Sequence, residues 1–114
     1  MEFNEAINEA KTFILNQGFL PNSPCDIKTK SLCASASLVY AAINIGSKES
    51  AQKFREELIS VDAQEGHEAA RQVVIKNGIK IGLLANKLSA LFQKNDSFLK
   101  EERVEEIINY FATL

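Results

Sequence analysis

Tryptophan is absent from this chain of 114 residues, histidine and methionine occur once each, and cysteine and proline occur twice each. The scarcity of histidine and of cysteine is informative. A single histidine, His67, cannot supply the paired ligands of a zinc-protease helix, and one imidazole among carboxylates is a poor transition-metal site. Two cysteines, Cys25 and Cys33, are too few to staple a small secreted fold. Long hydrophobic runs are missing too. The longest, Leu38 to Ile43, is six residues, where a spanning helix needs about 20. The glycines form no phosphate cradle, since Gly78 and Gly82 are not followed by the lysine and hydroxyl of a P-loop. No cofactor and no metal is therefore expected. An excess of one charge is lacking as well, the net charge being −2.

What is present is a globular composition, 46% hydrophobic and 25% charged, which fits one domain with a core of its own. The first residues include Glu2, Glu5 and Glu9, the wrong sign for a secretory leader. With so few cysteines, this predicts a cytoplasmic protein with reduced thiols.

Apolar residues recur at helical spacing over almost the whole chain. Phe3, Ala6, Ile7, Ala10, Phe13 and Ile14 make a first stripe, with Gly18-Phe19-Leu20 as its stop. Ser23-Pro24-Cys25-Asp26 has the order of a helix start, with a serine cap, a proline in the first turn and a carboxylate behind it. It predicts a helix to about Ile45, rich in small residues and so suited to the centre of a bundle. Gly46 ends that helix and Ser47 caps the next, whose stripe is Ala51, Phe54, Leu58 and Val61. Asp62-Ala63-Gln64-Glu65 has the form of a capping box and predicts a restart there. Ile81, Leu84, Ala85, Leu88, Leu91 and Phe92 form the strongest stripe. After an Asp96-Ser97 cap, Val104, Ile107, Ile108 and Phe111 line a last helix.

Residues 73–81 read two ways. Val73-Val74-Ile75-Lys76-Asn77-Gly78-Ile79-Lys80-Ile81 is β-branched around an Asn-Gly pair, which is hairpin grammar. Alternatively Gly78 closes a helix and Ile79 follows it. An isolated hairpin is marginal without further strands, so helix–turn–helix is preferred. The expectation is an all-α, single-domain irregular or orthogonal bundle of five or six helices over residues 1–114, with a small hairpin at 73–81 as the alternative.

Three features bear on function. Cys25, read as lying in a first helical turn, gains acidity there from unpaired N–H groups, against the adjacent Asp26. Cys33 precedes Ala34-Ser35-Ala36-Ser37-Leu38-Val39-Tyr40, and this run resembles the nucleophile helix of papain-like hydrolases. The resemblance implies a small cysteine-dependent enzyme using Cys33 and His67, but that family also presents its histidine from a sheet, and none is legible here. As small core residues both cysteines need no further role. His67, among Asp62, Glu65, Glu68 and Arg71, reads as part of a solvated helix face.

Charge layout carries more. Residues 69–95 hold Arg71, Lys76, Lys80, Lys87 and Lys94 and no acid, whereas 47–68 and 96–114 each sum to −3. On one continuous helix Lys80, Lys87 and Lys94 share a face, being seven apart. Such a face suits an acidic protein or, less well, nucleic acid, because arginine and aromatic residues are not interleaved and the flanks are acidic. Ordinary solvent-facing polarity is the plain alternative. The sequence therefore predicts a non-catalytic protein–protein interaction module of inhibitor, immunity or regulatory type. Its expected contacts are Arg71, Lys76, Lys80, Lys87 and Lys94, its expected partner is acidic, and self-association stays open. Nucleic-acid binding and cysteine chemistry are the alternatives.

Overall fold

A computed structural model describes residues 3–83, 85–98 and 100–114. Its helices are α1 (Phe3–Gln17), α2 (Ala34–Gly46), α3 (Lys48–Glu65), α4 (His67–Lys80), α5 (Ala85–Asp96) and α6 (Val104–Phe111). The protein is an all-α bundle, and no strand occurs among the described residues, only an isolated antiparallel bridge between Cys25 and Leu32. No described helix is long and apolar enough to cross a membrane.

α2 is the hub. It packs on α1, α3, α4 and α5, and Ala34, Ser35, Ala36, Ser37, Leu38, Val39, Ala41 and Ala42 are all buried. Small side chains at these positions let neighbouring helices approach closely enough to surround it. The buried stripes of α1 (Ala6, Ile7, Ala10, Ile14), α3 (Phe54, Leu58), α5 (Leu88, Leu91, Phe92) and α6 (Ile107, Phe111) close one contiguous core around α2.

Four expectations about helix ends are corrected. Ser23-Pro24 does not open α2, which starts at Ala34 with Cys33 as its N-cap, the Cys33 Sγ accepting from Ala36 N at 3.3 Å. Residues 18–33 instead form a long connection, in which Asp26 Oδ1 accepts the backbone N–H of Lys28 (2.8 Å) and Thr29 (3.2 Å). That is turn chemistry, and Asp two or three residues before the N–H groups it caps serves it as well as a helix start. Asp62 restarts nothing, since α3 runs on to Glu65 and breaks at Gly66, whose φ is +94°. Asp96 is the last residue of α5, and α6 begins only at Val104.

The fourth concerns 73–81. It is helical to Lys80, so neither the hairpin nor a stop at Gly78 occurs. Gly78 packs inside the bundle, and the turn expected there falls four residues later at Gly82. A Cβ on Gly78 would run into Leu88 Cδ1 and come within 3.3 Å of Val39 Cγ2, so this glycine is what lets α4 lie against α5 and α2. Gly82 has φ +93° with open space around it, and it supplies the turn between α4 and α5. At Ser47 the expected cap is present. Ser47 Oγ accepts from Ser50 N at 3.1 Å, and Ser47 N donates to Ile43 O at 2.9 Å, so one residue ends α2 and starts α3.

Candidate interaction site

The thiols are enclosed by the elements just described. Cys33, fully buried, sits at the head of α2, and burial pushes its thiol up to about 12 against the smaller opposing pull of the Ala36 and Ser35 N–H groups. Cys25 is in the bridge with Leu32, not in a helical turn, and its Sγ lies 3.9 Å from Leu58 O. Burial, followed by the negative charge of Asp62, pushes this thiol up to about 12 as well. Both are free and protonated at neutral pH. Protonated, enclosed sulfur is a poor nucleophile.

His67 has a specific partner. It is the first residue of α4, and its Nδ1 hydrogen-bonds Asp62 Oδ1 at 2.5 Å, with the carboxylate buried and the ring 58% exposed. The pair straddles Gly66 and ties the end of α3 to the start of α4. Asp62 is also the carboxylate beside Cys25. In a thiol–imidazole–carboxylate triad the imidazole stands between the other two. Here the carboxylate stands between Cys25 and His67, which locks helices together and relays no proton to a thiolate.

The five cations are used unequally. Arg71 Nη2 bonds Asp96 Oδ2 at 2.8 Å and its guanidinium lies 5.6 Å from the Phe92 ring, so it joins α4 to the end of α5. Lys94 Nζ bonds Glu106 Oε1 at 2.8 Å, joining α5 to α6. This bond, ahead of the nearby charge of Arg103, holds the Glu106 carboxyl below its ordinary range. Lys87 Nζ lies 4.4 Å from the Phe3 ring, over α1. Lys80 closes α4, while Lys87 and Lys94 belong to α5 beyond the turn at Gly82. The seven-residue spacing therefore does not run along one continuous helix.

Lys76 and Lys80 remain, both exposed, with no ion-pair partner among the described residues. Four apart on α4, they share a face with Ile79, which is 53% exposed. Lys80 also lines a cleft of about 410 Å³ between the ends of α2 and α4 and the start of α3, where Ile43, Phe54 and Ile81 meet the polar Ser50, Lys53, Glu57 and Asn77. A helix stop at Gly78 would put Ile79 in a turn; because α4 runs on to Lys80, Ile79 stands on the helix face instead. No metal-ligating cluster of three histidines, cysteines or carboxylates occurs among the described residues.

Compared with known protein families, curated proteins and solved structures, the chain matches none.

Proposed function

We propose that this protein is a non-catalytic interaction module that binds an acidic protein partner through the second half of α4. The observation that carries the reading is the exposed Ile79 between Lys76 and Lys80, beside the cleft between α2, α3 and α4. Interfaces combine an apolar centre with a polar rim, and the charges flanking Ile79 are Lys76 and Lys80, cations with no ion-pair partner among the described residues, while Glu57 and the Glu49-paired Lys53 line the cleft from α3. The cations spent on holding α4, α5 and α6 together are Arg71 and Lys94, which leaves Lys87 over Phe3 at the margin. An inhibitor or regulator needs only such a face and no reacting group, which suits protonated thiols.

The test is the pair of variants Lys76→Glu/Lys80→Glu and Ile79→Ser, used as bait against the wild type in extracts of the native cells. Exposed changes of this kind cost within ~0.5 kcal/mol, so melting temperatures should stay together. The wild type should retain an acidic protein at 1:1 stoichiometry, with association that slows steeply as salt rises. Both variants should lose it. Retention unaffected by either variant overturns the reading. So does retained material that nuclease removes, since that assigns the lysines to phosphate.

A further inference from the structure

We infer that the loop 26–31 is a second, preformed contact, a knob that seats Ile27 in an apolar socket on an acidic protein. It rests on the reading of the chain as an interaction module, but not on the α4 face.

The loop is held from several sides. The Cys25–Leu32 bridge and the bond from Cys33 N to Pro24 O (3.0 Å) pin its base. Asp26 Oδ1 takes two backbone N–H groups, and Lys30 N donates to Asp26 O at 2.8 Å. From α3, Arg55 donates Nε (3.0 Å) and Nη2 to the Lys30 carbonyl, and its guanidinium lies 5.6 Å from the Tyr40 ring. All this ordering presents at the tip an isoleucine 51% exposed, flanked by exposed Lys28, Thr29 and Lys30. A loop already fixed in its bound shape loses little entropy on docking.

Charge identifies the partner. The loop's one acid, Asp26, is turned inward onto backbone N–H groups, so the surface around Ile27 carries Lys28 and Lys30. Beside the loop lies a cleft of about 200 Å³ lined by Lys30, Gln52, Arg55, Glu56, Ile59 and Ser60. An apolar side chain from the partner fits there while Ile27 enters the partner, a reciprocal arrangement. A lipid surface fits less well, because one isoleucine beside Thr29 and Asp26 offers little apolar area to insert. At about 100° per residue, Ile59 and Arg55 lie on the opposite flank of α3 from Ser50 and Glu57, which line the α4 cleft. The two contacts are thus separate.

The experiment places a photo-crosslinker in the full chain, as Ile27→p-benzoylphenylalanine and, as control, Leu15→p-benzoylphenylalanine, Leu15 being 67% exposed on α1. Both are irradiated in extracts of the native cells. Expected is one dominant adduct from position 27, absent from 15, whose cross-linked peptide from the partner is rich in Asp and Glu. Lys28→Glu/Lys30→Glu should cut its yield at least tenfold with the melting temperature unchanged. Asp26→Ala should speed hydrogen exchange at the Lys28 and Thr29 amides and lower the yield several-fold. No adduct, an equal adduct from position 15, an adduct with a second copy, or sedimentation of Ile27-dependent protein with phosphatidylserine vesicles each overturns the knob. Failure at 27 with Lys76/Lys80-dependent binding intact overturns the knob alone. The converse overturns the α4 reading alone.

Discussion

Asn95 makes the sharpest prediction about how this fold is held. It is 1% exposed near the end of α5, and its amide works in both directions. Oδ1 accepts from Ala34 N at 3.0 Å, satisfying one of the free N–H groups at the head of α2, and Nδ2 donates to Leu20 O at 2.9 Å. One side chain therefore fixes both ends of the 18–33 connection to α5. Asn95→Ala removes both bonds and leaves a buried donor and a part-buried acceptor with no partner. A lost neutral bond is worth ~1 kcal/mol and a fully buried group left unpaired about 1–3 kcal/mol; with the Leu20 side only part-buried and so at the low end, the pair should cost about 2–4 kcal/mol. For a domain of this size 1 kcal/mol moves the melting temperature by about 4 °C, and the expected fall is about 8–16 °C. Asn95→Asp separates the two bonds. It keeps an acceptor for Ala34 N, where the helix dipole favours a negative group, but loses the donor to Leu20 O. Its fall should come mainly from the Leu20 side, and hydrogen exchange at the Ala34 amide should stay slow. Thermal unfolding followed by circular dichroism at 222 nm, with exchange at Ala34 read by NMR, checks both. A fall under about 3 °C for Asn95→Ala would refute the reasoning, because water or a shifted backbone would then be replacing the side chain at no cost.

Both thiols should resist a disulfide reagent at pH 8 in the folded protein and react once it is unfolded, since each is pushed up to about 12; labelling faster than global unfolding would count against their burial. The same shift makes stability fall as pH rises. The native state holds protons that the unfolded thiols release from ~8.5 upward, so the stabilisation is whole below that pH and is lost towards 12. Gly82→Ala, at φ +93°, should cost about 1–3 kcal/mol through backbone strain alone. Gly78→Ala must instead displace Leu88, and its α4–α5 contacts, read by NMR chemical shifts, should move where those of Gly82→Ala do not. Lys94→Met should let the Glu106 carboxyl titrate nearer its ordinary range, visible in an NMR titration. The Lys94 contribution in the wild type is present at neutral pH and fades as pH falls through the depressed Glu106 value; an unchanged titration would show that the bond at 2.8 Å is not populated.

Periodicity made the helices legible because apolar spacing is a property of the burial itself. The stripes of α1, α3 and α6 supply core residues such as Ile14, Leu58 and Phe111. Of the stripe expected to be strongest, only Leu88, Leu91 and Phe92 are core residues of α5; Ile81 is half-buried at the end of α4, Ala85 is exposed, and residue 84 lies outside the described residues. Caps were less legible, because one residue type serves several local purposes. Ser47 was read correctly because Gly46 before it and the amphipathic run behind it left little else to do. Ser23-Pro24-Cys25-Asp26 was misread because an aspartate that accepts from N–H groups just downstream does the same at a turn as at a helix head. The actual cap of α2 is Cys33, whose sulfur is a weak acceptor outside the usual cap residues. Asn95 could not be found by local reasoning at all, since its partners, Ala34 and Leu20, are 61 and 75 residues away.

The lysine face shows how a small error in local structure becomes a large one in function. On one continuous helix seven residues advance by about two turns, and Lys80, Lys87 and Lys94 fall within roughly 20° of one line per step. That inference holds only while the helix does. At Gly82 the backbone takes φ +93°, α4 ends, and α5 begins again in a direction set by its own packing on α2. Lys80 then lines the cleft with Phe54, Lys87 lies over Phe3, and Lys94 meets Glu106. The charge excess of residues 69–95 was real, but a sum over sequence does not distinguish a cation open to a partner from one already paired across the bundle. Pairing with Glu106 and Asp96 occupies Lys94 and Arg71, both from the segment whose acidic flank supplies the carboxylates. The acidic flank read in the sequence as a repulsive border is therefore partly the internal partner of the basic stretch. Besides Lys87, which lies over the Phe3 ring, it leaves Lys76 and Lys80 around Ile79 with no ion-pair partner among the described residues. That is a smaller face with an apolar centre, and the proposed protein contact rests on that face and not on a line of lysines.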